Sequence, residues 1–239
     1  MADLWLPAGV GPHPVVVVLH GGFWKAAYGR RLMSRISADL AARGWAAWNL
    51  EYRRVGGGGG WPATFADVAA GIDAVAGLPG VDPCRVSTVG HSAGGQLALW
   101  AAARPGLPQG SPGATPAVRV GAAVSLGGVV DLVVAADGRV GGNAVARLLG
   151  GPPGAVPDRY GLASPAARLP LGVPQLLVHG EDDATVPPEL SRRYAEMARL
   201  AGDDVDLCIQ PGVGHMEVID PGSRAWATVI EWMDRHPIR

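Results

Sequence analysis

Three short motifs in this 239-residue chain carry residue types that together could transfer an acyl group. The first is TVGHSAGG, in which Gly90, Ser92 and Gly94 form a G-x-S-x-G pattern. A serine hydroxyl needs a base to become a nucleophile, and the base needs a carboxylate to orient it. The segment EDDATVP offers Glu181, Asp182 and Asp183 as candidates for the acid, and the segment VGHMEV offers His215 as the base. Their order along the chain, serine then acid then histidine, predicts a catalytic triad.

Each of these motifs follows a segment that predicts a β-strand. Residues 85–90 form such a segment before Ser92, and residues 93–104 have the pattern of a helix after it. A serine at a strand-to-helix corner takes a strained backbone angle, and flanking glycines relieve the crowding there. The carboxylates follow the run QLLVHG, and His215 follows the run DVDLCIQPG. We therefore expect all three side chains at the carboxyl edge of one parallel sheet, where ligands bind.

The rest of the chain supplies the alternating strands and helices that such a sheet requires. Residues 15–19 are a continuous apolar run, which is typical of a strand buried on both faces. We predict a mostly parallel α/β sheet with helices on both faces, in a single domain over residues 1–239. Residues 130–169, rich in glycine and proline, interrupt the regular pattern. They are expected to form an irregular insertion with a short helical piece around residues 143–149, a candidate lid or specificity segment.

The loop HGGFW at residues 20–24 follows the first of these strands and has three possible uses. It could cradle a phosphate, make a plain tight turn, or aim backbone amides at a developing oxyanion. No G-x-G-x-x-G or G-K-[ST] pattern follows it, which weakens the phosphate interpretation. Spacing alone does not decide the matter. The triad motifs do, because they place a reacting carbonyl at the edge that this loop reaches.

HGGFW, GHSAGG, HGEDDATVP and GVGHMEVIDP together resemble the α/β-hydrolase superfamily. Within it they resemble the HGGxW branch of small esterases, kynurenine-formamidase-like arylformamidases and prolyl-oligopeptidase-type hydrolases. The resemblance covers nearly the whole chain. The family pattern H-G-x-x-D-x-x-V-P aligns with residues 179–187, which makes Asp183 the acid and Asp182 the runner-up. The chain departs from the family in one respect, because the antiparallel strands that usually precede a DLWLP-like segment are shortened here. Little or no separate cap over the site is expected.

The resemblance also implies roles for the residues around the nucleophile. The oxyanion hole is expected from the backbone amides of Gly22, Phe23 and Ala93, with Gly21 supplying the turn. His20 is expected to fix this loop by hydrogen bonding. Three further side chains are candidates for the substrate pocket, namely Trp24, Trp61 and Met216. For Trp24, simple packing in the core is an equally good interpretation, and its contact with substrate is left open.

Several other polar residues have structural roles as their first interpretation. His91, inside the GHSAGG motif, is expected to pack or to form a hydrogen bond rather than to catalyse. Glu51 is expected to pair with an arginine, although Arg53 or Arg54 could instead read the substrate. Glu217, close to His215, is expected at the surface.

Composition excludes several classes of partner. The formal net charge of −1 gives no electrostatic case for binding nucleic acid or an anionic membrane. No apolar run approaches the roughly 20 residues that span a bilayer, and the first residues lack a basic leader. The two cysteines lack the spacing of a metal site. We expect a cytoplasmic monomer or homodimer without metal or organic cofactor, acting on a small-molecule ester or amide.

The expected reaction is hydrolysis of a carboxylic ester of a small acyl or aryl substrate through an acyl-enzyme. An arylformamidase cleaving N-formylkynurenine is the first alternative, because HGGFW fits that group. An aminopeptidase-like hydrolase comes next. From a different class, a non-catalytic binding protein on the same fold is the least favoured, because the chain retains the serine, the acid and the histidine.

Overall fold

The computed structural model describes residues 1–237 and places seven strands in one sheet. The strands are β1 (Ala2–Trp5), β2 (His13–Leu19), β3 (Ala46–Leu50), β4 (Val81–His91), β5 (Ala122–Leu126), β6 (Gln175–Gly180) and β7 (Val205–Gln210). Their order across the sheet is β1-β3-β2-β4-β5-β6-β7. One antiparallel strand, β1, lies on β3, and the other neighbouring pairs are parallel. The predicted mostly parallel sheet is confirmed.

Strand β2 is buried on both faces because its side chains alternate between two separate cores. Val15, Val17 and Leu19 pack into the core on one side of the sheet. Val16 and Val18 pack into the core on the other side. A strand covered on both faces needs no polar alternation, which explains the unbroken apolar run in the sequence.

Within the described residues, eight α-helices cover the two faces of the sheet. They are α1 (Ser34–Ala42), α2 (Ala63–Asp73), α3 (Ala93–Ala103), α4 (Leu132–Asp137), α5 (Ala144–Leu149), α6 (Pro157–Ala163), α7 (Glu189–Leu200) and α8 (Arg224–Arg235). Helices α1 and α8 bury Ile36, Leu40 and Trp226 in the core that holds Val16 and Val18. The other helices pack on the opposite face. None of the helices within residues 1–237 is long and apolar enough to cross a bilayer.

Helix α3 is enclosed on all sides, with every residue from Ala93 to Ala103 buried. Its first turn lies so close to the end of β2 that a Cβ on Gly94 would overlap the backbone carbonyl of Leu19. Only glycine permits an approach this close. The ends of β2 and β4 and the start of α3 therefore meet at one place on the carboxyl edge of the sheet.

The insertion at residues 130–169 is more regular than its composition indicates. It contains α4, α5 and α6, followed by a 3₁₀ turn at Pro165–Arg168. Asp131 caps α4 by accepting hydrogen bonds from the amides of Val133 and Val134, at 3.1 and 3.2 Å. These helices have only six or seven residues each. The helical piece expected around residues 143–149 corresponds to α5. Helices α4 and α6 were not expected, because helices this short produce no clear periodic pattern between the glycines and prolines.

Candidate active site

Ser92 occupies the turn between β4 and α3 with a backbone φ of 56° and ψ of −117°. A side chain at positive φ is strained, and such strain concentrates at functional sites. The flanking glycines are required for space, because a Cβ on Gly90 would overlap the carbonyl of Gly94. The Ser92 amide is held by the carbonyl of Leu126 at the end of β5, at 2.8 Å. The glycines of the G-x-S-x-G motif thus allow the tight turn that holds Ser92.

Asp183 follows β6 and accepts hydrogen bonds on both carboxylate oxygens. Its Oδ2 lies 2.6 Å from Nδ1 of His215 and 3.2 Å from Nε2 of His179. Its Oδ1 accepts from the amides of Thr185 and Val186, both at 2.8 Å. Burial alone would raise the pKa of Asp183, but the bonds from His179, His215 and Val186 outweigh it and hold that pKa well below its usual range. The carboxylate is therefore charged at neutral pH.

His215 belongs to the loop that follows β7, and its ring bonds to Asp183 rather than to the runner-up Asp182. Asp182 and Glu181 are both exposed, whereas Asp183 is buried. Because Nδ1 of His215 faces the carboxylate, Nε2 is the nitrogen left for the substrate side. Both His215 and Ser92 line the same cavity. The structure thus brings the three predicted triad residues to one edge of the sheet.

This cavity has a volume of about 210 Å³. Its lining consists of Gly22, Phe23, Tyr28, Leu32, His91, Ser92, Thr185, His215 and Met216. Met216 is half exposed at its mouth, as expected of a candidate pocket residue. The cavity is smaller than the 300–1,000 Å³ typical of sites for drug-sized ligands. It suits a small apolar group beside the Ser92 hydroxyl.

The HGG loop turns at Gly22, where three successive residues have positive φ. The angles are 111° at Gly22, 49° at Phe23 and 52° at Trp24. The turn is therefore supplied by Gly22 and not by Gly21 as expected. Gly21 is needed instead for close approach, since a Cβ there would lie 3.0 Å from Cβ of Ser92. In the described part of the chain, the amides of Gly22 and Phe23 donate no hydrogen bond to the backbone.

Trp24 does not reach the cavity, contrary to the candidate role for it in substrate binding. Its side chain is fully buried, and Nε1 donates to Oε1 of Gln96 at 3.1 Å. Gln96 in turn donates to the carbonyl of Ala163 at 2.8 Å. The indole packs in the core because α3 offers it a buried acceptor. Trp61 is also placed elsewhere: its ring packs at 5.2 Å on Phe65.

His20 anchors the base of the loop through a buried polar network. Its Nδ1 lies 2.8 Å from the Gly21 carbonyl, and its Nε2 lies 3.0 Å from Oε1 of Glu51. Glu51 also pairs with Arg54 and accepts from the amide of Arg30 at 3.2 Å. Burial acts to raise the pKa of Glu51, but these partners lower it to about 2. The predicted pairing of Glu51 with an arginine is thus present.

The remaining polar residues lie away from the cavity. Arg53, the other candidate for reading substrate, pairs with Asp67 through both carboxylate oxygens, at 2.9 and 2.8 Å. Glu217 is exposed. Cys84 and Cys208 are both free thiols. Within residues 1–237, no three histidine, cysteine or acidic side chains converge in a way that could hold a metal ion.

Two glycines after β5 complete the site, and the sequence reasoning did not single them out. Gly127 has a φ of 54°, and a Cβ there would lie 3.3 Å from both Oδ2 of Asp183 and Nδ1 of His215. A Cβ on Gly128 would overlap the side chain of Ser125. The signal available was the pair of glycines in SLGG, which ends a predicted strand at the same sheet edge.

A family model described as BD-FAE matches residues 2–197. The chain belongs to the BD-FAE family. It is 30% identical over 197 residues to the probable carboxylic ester hydrolase LipM of Mycobacterium tuberculosis, covering 79% of this chain and 46% of LipM. It is 30% identical over 243 residues to esterase LipC of the same organism, covering 91% of this chain and 56% of LipC. The chain thus spans about half the length of the curated relatives it matches.

Solved esterase structures share the fold of this BD-FAE member. A truncated carbohydrate esterase from gut microbiota superposes with a TM-score of 0.84 at 24% identity, over 98% of this chain and 90% of that one. Esterase Est2 of Thermogutta terrifontis superposes with a TM-score of 0.78 at 24% identity, over 98% and 85% of the two chains. Est2 has also been solved phosphonylated by sarin, at 24% identity, a TM-score of 0.77 and coverages of 98% and 87%. The predicted fold is confirmed.

Proposed function

We propose that this protein is a serine hydrolase that cleaves carboxylic esters with a small acyl group through an acyl-enzyme. The observation that carries the proposal is the hydrogen bond of 2.6 Å between His215 Nδ1 and Asp183 Oδ2, at the cavity that Ser92 lines. That bond fixes the His215 tautomer and leaves Nε2 to take a proton. The ester-hydrolase names of LipM and LipC and the phosphonylation of Est2 by sarin support the same chemistry.

The first half of the reaction forms the acyl-enzyme. The Ser92 hydroxyl attacks the carbonyl carbon as its proton passes to Nε2 of His215. The charged Asp183 stabilises the imidazolium that results. The carbonyl oxygen gains negative charge and accepts hydrogen bonds from the amides of Gly22, Phe23 and Ala93. His215 then gives its proton to the departing alcohol, and the ester bond breaks.

The second half releases the acid and restores the enzyme. Water loses a proton to Nε2 of His215 and attacks the acyl carbon, with the same amides holding the oxyanion. The Ser92 oxygen leaves and recovers its proton from His215. The Ala93 amide is free for this work, since the first amides of a helix have no partner within it. The α3 dipole adds to the effect, because its positive end points at the developing charge.

The size and lining of the cavity favour a short acyl group. Phe23, Leu32 and Met216 give it apolar walls, and its volume of about 210 Å³ is below that of a typical site for a drug-sized ligand. We expect p-nitrophenyl acetate and butyrate to be better substrates than p-nitrophenyl octanoate. The names of LipM, LipC and Est2 all point to an ester substrate, which favours an ester over a formamide or a peptide.

The variant Ser92→Ala tests the assignment. It should fold normally, with an unchanged melting temperature, and lose at least about 10³-fold in kcat on p-nitrophenyl acetate. A fluorophosphonate probe should label the parent protein and not the variant. The proposal fails if Ser92→Ala retains substantial turnover, or if the folded parent neither turns over any ester of the panel nor takes up the probe.

A further inference from the structure

His91, the residue before the nucleophile, forms a hydrogen bond with the backbone of the triad histidine. Its ring is 1% exposed, and its Nε2 lies 2.9 Å from the carbonyl oxygen of His215. A carbonyl oxygen only accepts, so Nε2 of His91 carries the hydrogen and donates it. The two imidazole rings also touch, with centroids 4.6 Å apart and planes inclined by 45°.

The other ring nitrogen of His91 faces the HGG loop. In this tautomer Nδ1 has a lone pair, and within residues 1–237 it finds no hydrogen-bond partner. A Cβ on Gly21 would lie 2.8 Å from that nitrogen. The His91 ring therefore fills the space between the loop of the oxyanion hole on one side and His215 on the other.

The surroundings of His91 keep its ring neutral. Burial, and after it the nearby His215, lower the pKa of His91 to about 3. The titratable groups around it are His215 itself, Asp183 and His179. His91 therefore keeps one tautomer while His215 gains and loses its proton. It adds no positive charge beside the imidazolium that forms during catalysis.

The loop that carries His215 needs support on the side of the nucleophile. On its far side, the carbonyl of Val213 accepts from the amide of Asp182 at 3.0 Å. That bond ties the loop to the end of β6, close to Asp183. Facing the nucleophile, the His91 side chain donates to the loop backbone. Because a peptide bond joins His91 to Ser92, this hydrogen bond links the backbone of the base directly to the backbone of the nucleophile.

We propose that His91 is a positioning residue, which sets the distance between Ser92 and His215 by donating from Nε2 to the His215 carbonyl. The proposal rests on the function proposed above, in which these two residues react with an ester. Losing the bond would let the His215 loop move away from Ser92. A misplacement of about 1 Å can cost roughly 100-fold in rate.

Two amide variants form a matched pair for testing this role. In His91→Gln the amide nitrogen can occupy the place of Nε2 and still donate to the His215 carbonyl. In His91→Asn the side chain is one methylene shorter and cannot reach it. We expect kcat on p-nitrophenyl acetate within about threefold of the parent for the glutamine variant, and about 10- to 100-fold lower for the asparagine variant. KM and the pH dependence of kcat/KM should stay close to those of the parent in both.

Rates of labelling by a fluorophosphonate should follow the same order, because that reaction also uses His215 as a base. The proposal is wrong if both variants fold and lose activity equally, or if both keep it. It is also wrong if the glutamine variant shifts the pH profile, since that would give His91 a proton-transfer role.

A measurement on the parent protein does not depend on either variant folding. Long-range ¹H–¹⁵N spectra should show His91 as a neutral Nε2–H tautomer from pH 5 to 9, and a cationic ring or an Nδ1–H tautomer would overturn the proposal. The Ser92→Ala variant tests the proposed function, whereas these spectra test the hydrogen bond of His91. If the parent lacks esterase activity, the spectra still decide the His91 hydrogen bond.

Discussion

At the scale of single residues, the polar contacts of Asp183 distinguish it from the neighbouring acidic residues. Its carboxylate accepts from two histidine rings and two backbone amides, so neither oxygen is left without a donor. Asp182, one residue earlier, is exposed and is the natural comparison. The two aspartates differ because the turn after β6 directs only the side chain of Asp183 toward the His215 loop.

We expect Asp183→Asn to lower kcat on p-nitrophenyl acetate by about 10³- to 10⁴-fold. The amide would present a hydrogen-bond donor or a neutral oxygen to Nδ1 of His215, so it would neither hold the tautomer nor stabilise the imidazolium. Steady-state kinetics measure the effect, with Asp182→Asn as the matched control. Equal losses in the two variants would contradict the assignment of the acid.

At the scale of elements, the site is built from the ends of strands and the loops that follow them. In the function proposed above, the loop after β2 supplies the oxyanion amides and the turn after β4 supplies the nucleophile. The loops after β6 and β7 supply the acid and the base. The loop after β5 holds no reacting group, yet it closes against the acid and base through Gly127. The left-handed φ of 54° at Gly127 would strain any other residue. A side chain there would also fill the space next to Asp183 and His215.

The variant Gly127→Ala, compared with a control at a second glycine, separates the effect of backbone strain from that of crowding in the site. A left-handed alanine costs roughly 1–2 kcal/mol of stability, and here its methyl group would also press on Asp183 and His215. We expect a lower melting temperature together with at least about a 10-fold loss of kcat.

Gly202→Ala is the control for that variant, because Gly202 has a φ of 89° and open space around its Cβ position. It should lose similar stability with kcat unchanged. If Gly127→Ala loses stability but keeps full kcat, the packing of this loop against the triad is irrelevant to catalysis.

At the scale of the whole molecule, buried ionisable groups tie stability to pH. His91 has a folded pKa of about 3, against an ordinary value of 6.5. Between those two pH values, His91 is protonated in the unfolded chain and neutral in the folded protein. The free energy of unfolding therefore falls as the pH drops below about 6.5. Asp183 and Glu51 have lowered pKa values, and they lose their stabilising charge only at pH below about 4.5. Between pH 6.5 and 4.5, His91 therefore contributes a loss of stability that these two carboxylates do not.

We expect His91→Gln to flatten the pH dependence of stability in that range. The parent should lose up to about 1.4 kcal/mol per pH unit from this one group, and the variant should not, because glutamine does not titrate. Urea unfolding at pH 7.0, 6.0, 5.0 and 4.5 measures the difference. Parallel curves for the two proteins would show that His91 is protonated in the folded state.

Much of this architecture follows from local pattern. The run from Val15 to Leu19 predicts a strand buried on both faces, and the structure divides its side chains between two cores. The insertion at residues 130–169 was predicted less well. Its helices are held by contacts with the main core, in which Leu132, Leu148 and Leu149 are buried, rather than by their own propensity. Short helices stabilised by tertiary packing leave little trace in a sequence.

The sequence by itself determined the fold class, the serine elbow, and the order of the serine, acid and histidine motifs, because each depends on residues close together in the chain. Only the tertiary structure decided that Trp24 and Trp61 lie outside the cavity, that Gly127 lies next to Asp183 and His215, and that His91 bonds to His215. Each of these is a contact between segments brought together by folding. His91 and His215 are 124 residues apart in the chain, and no local pattern encodes the distance between them.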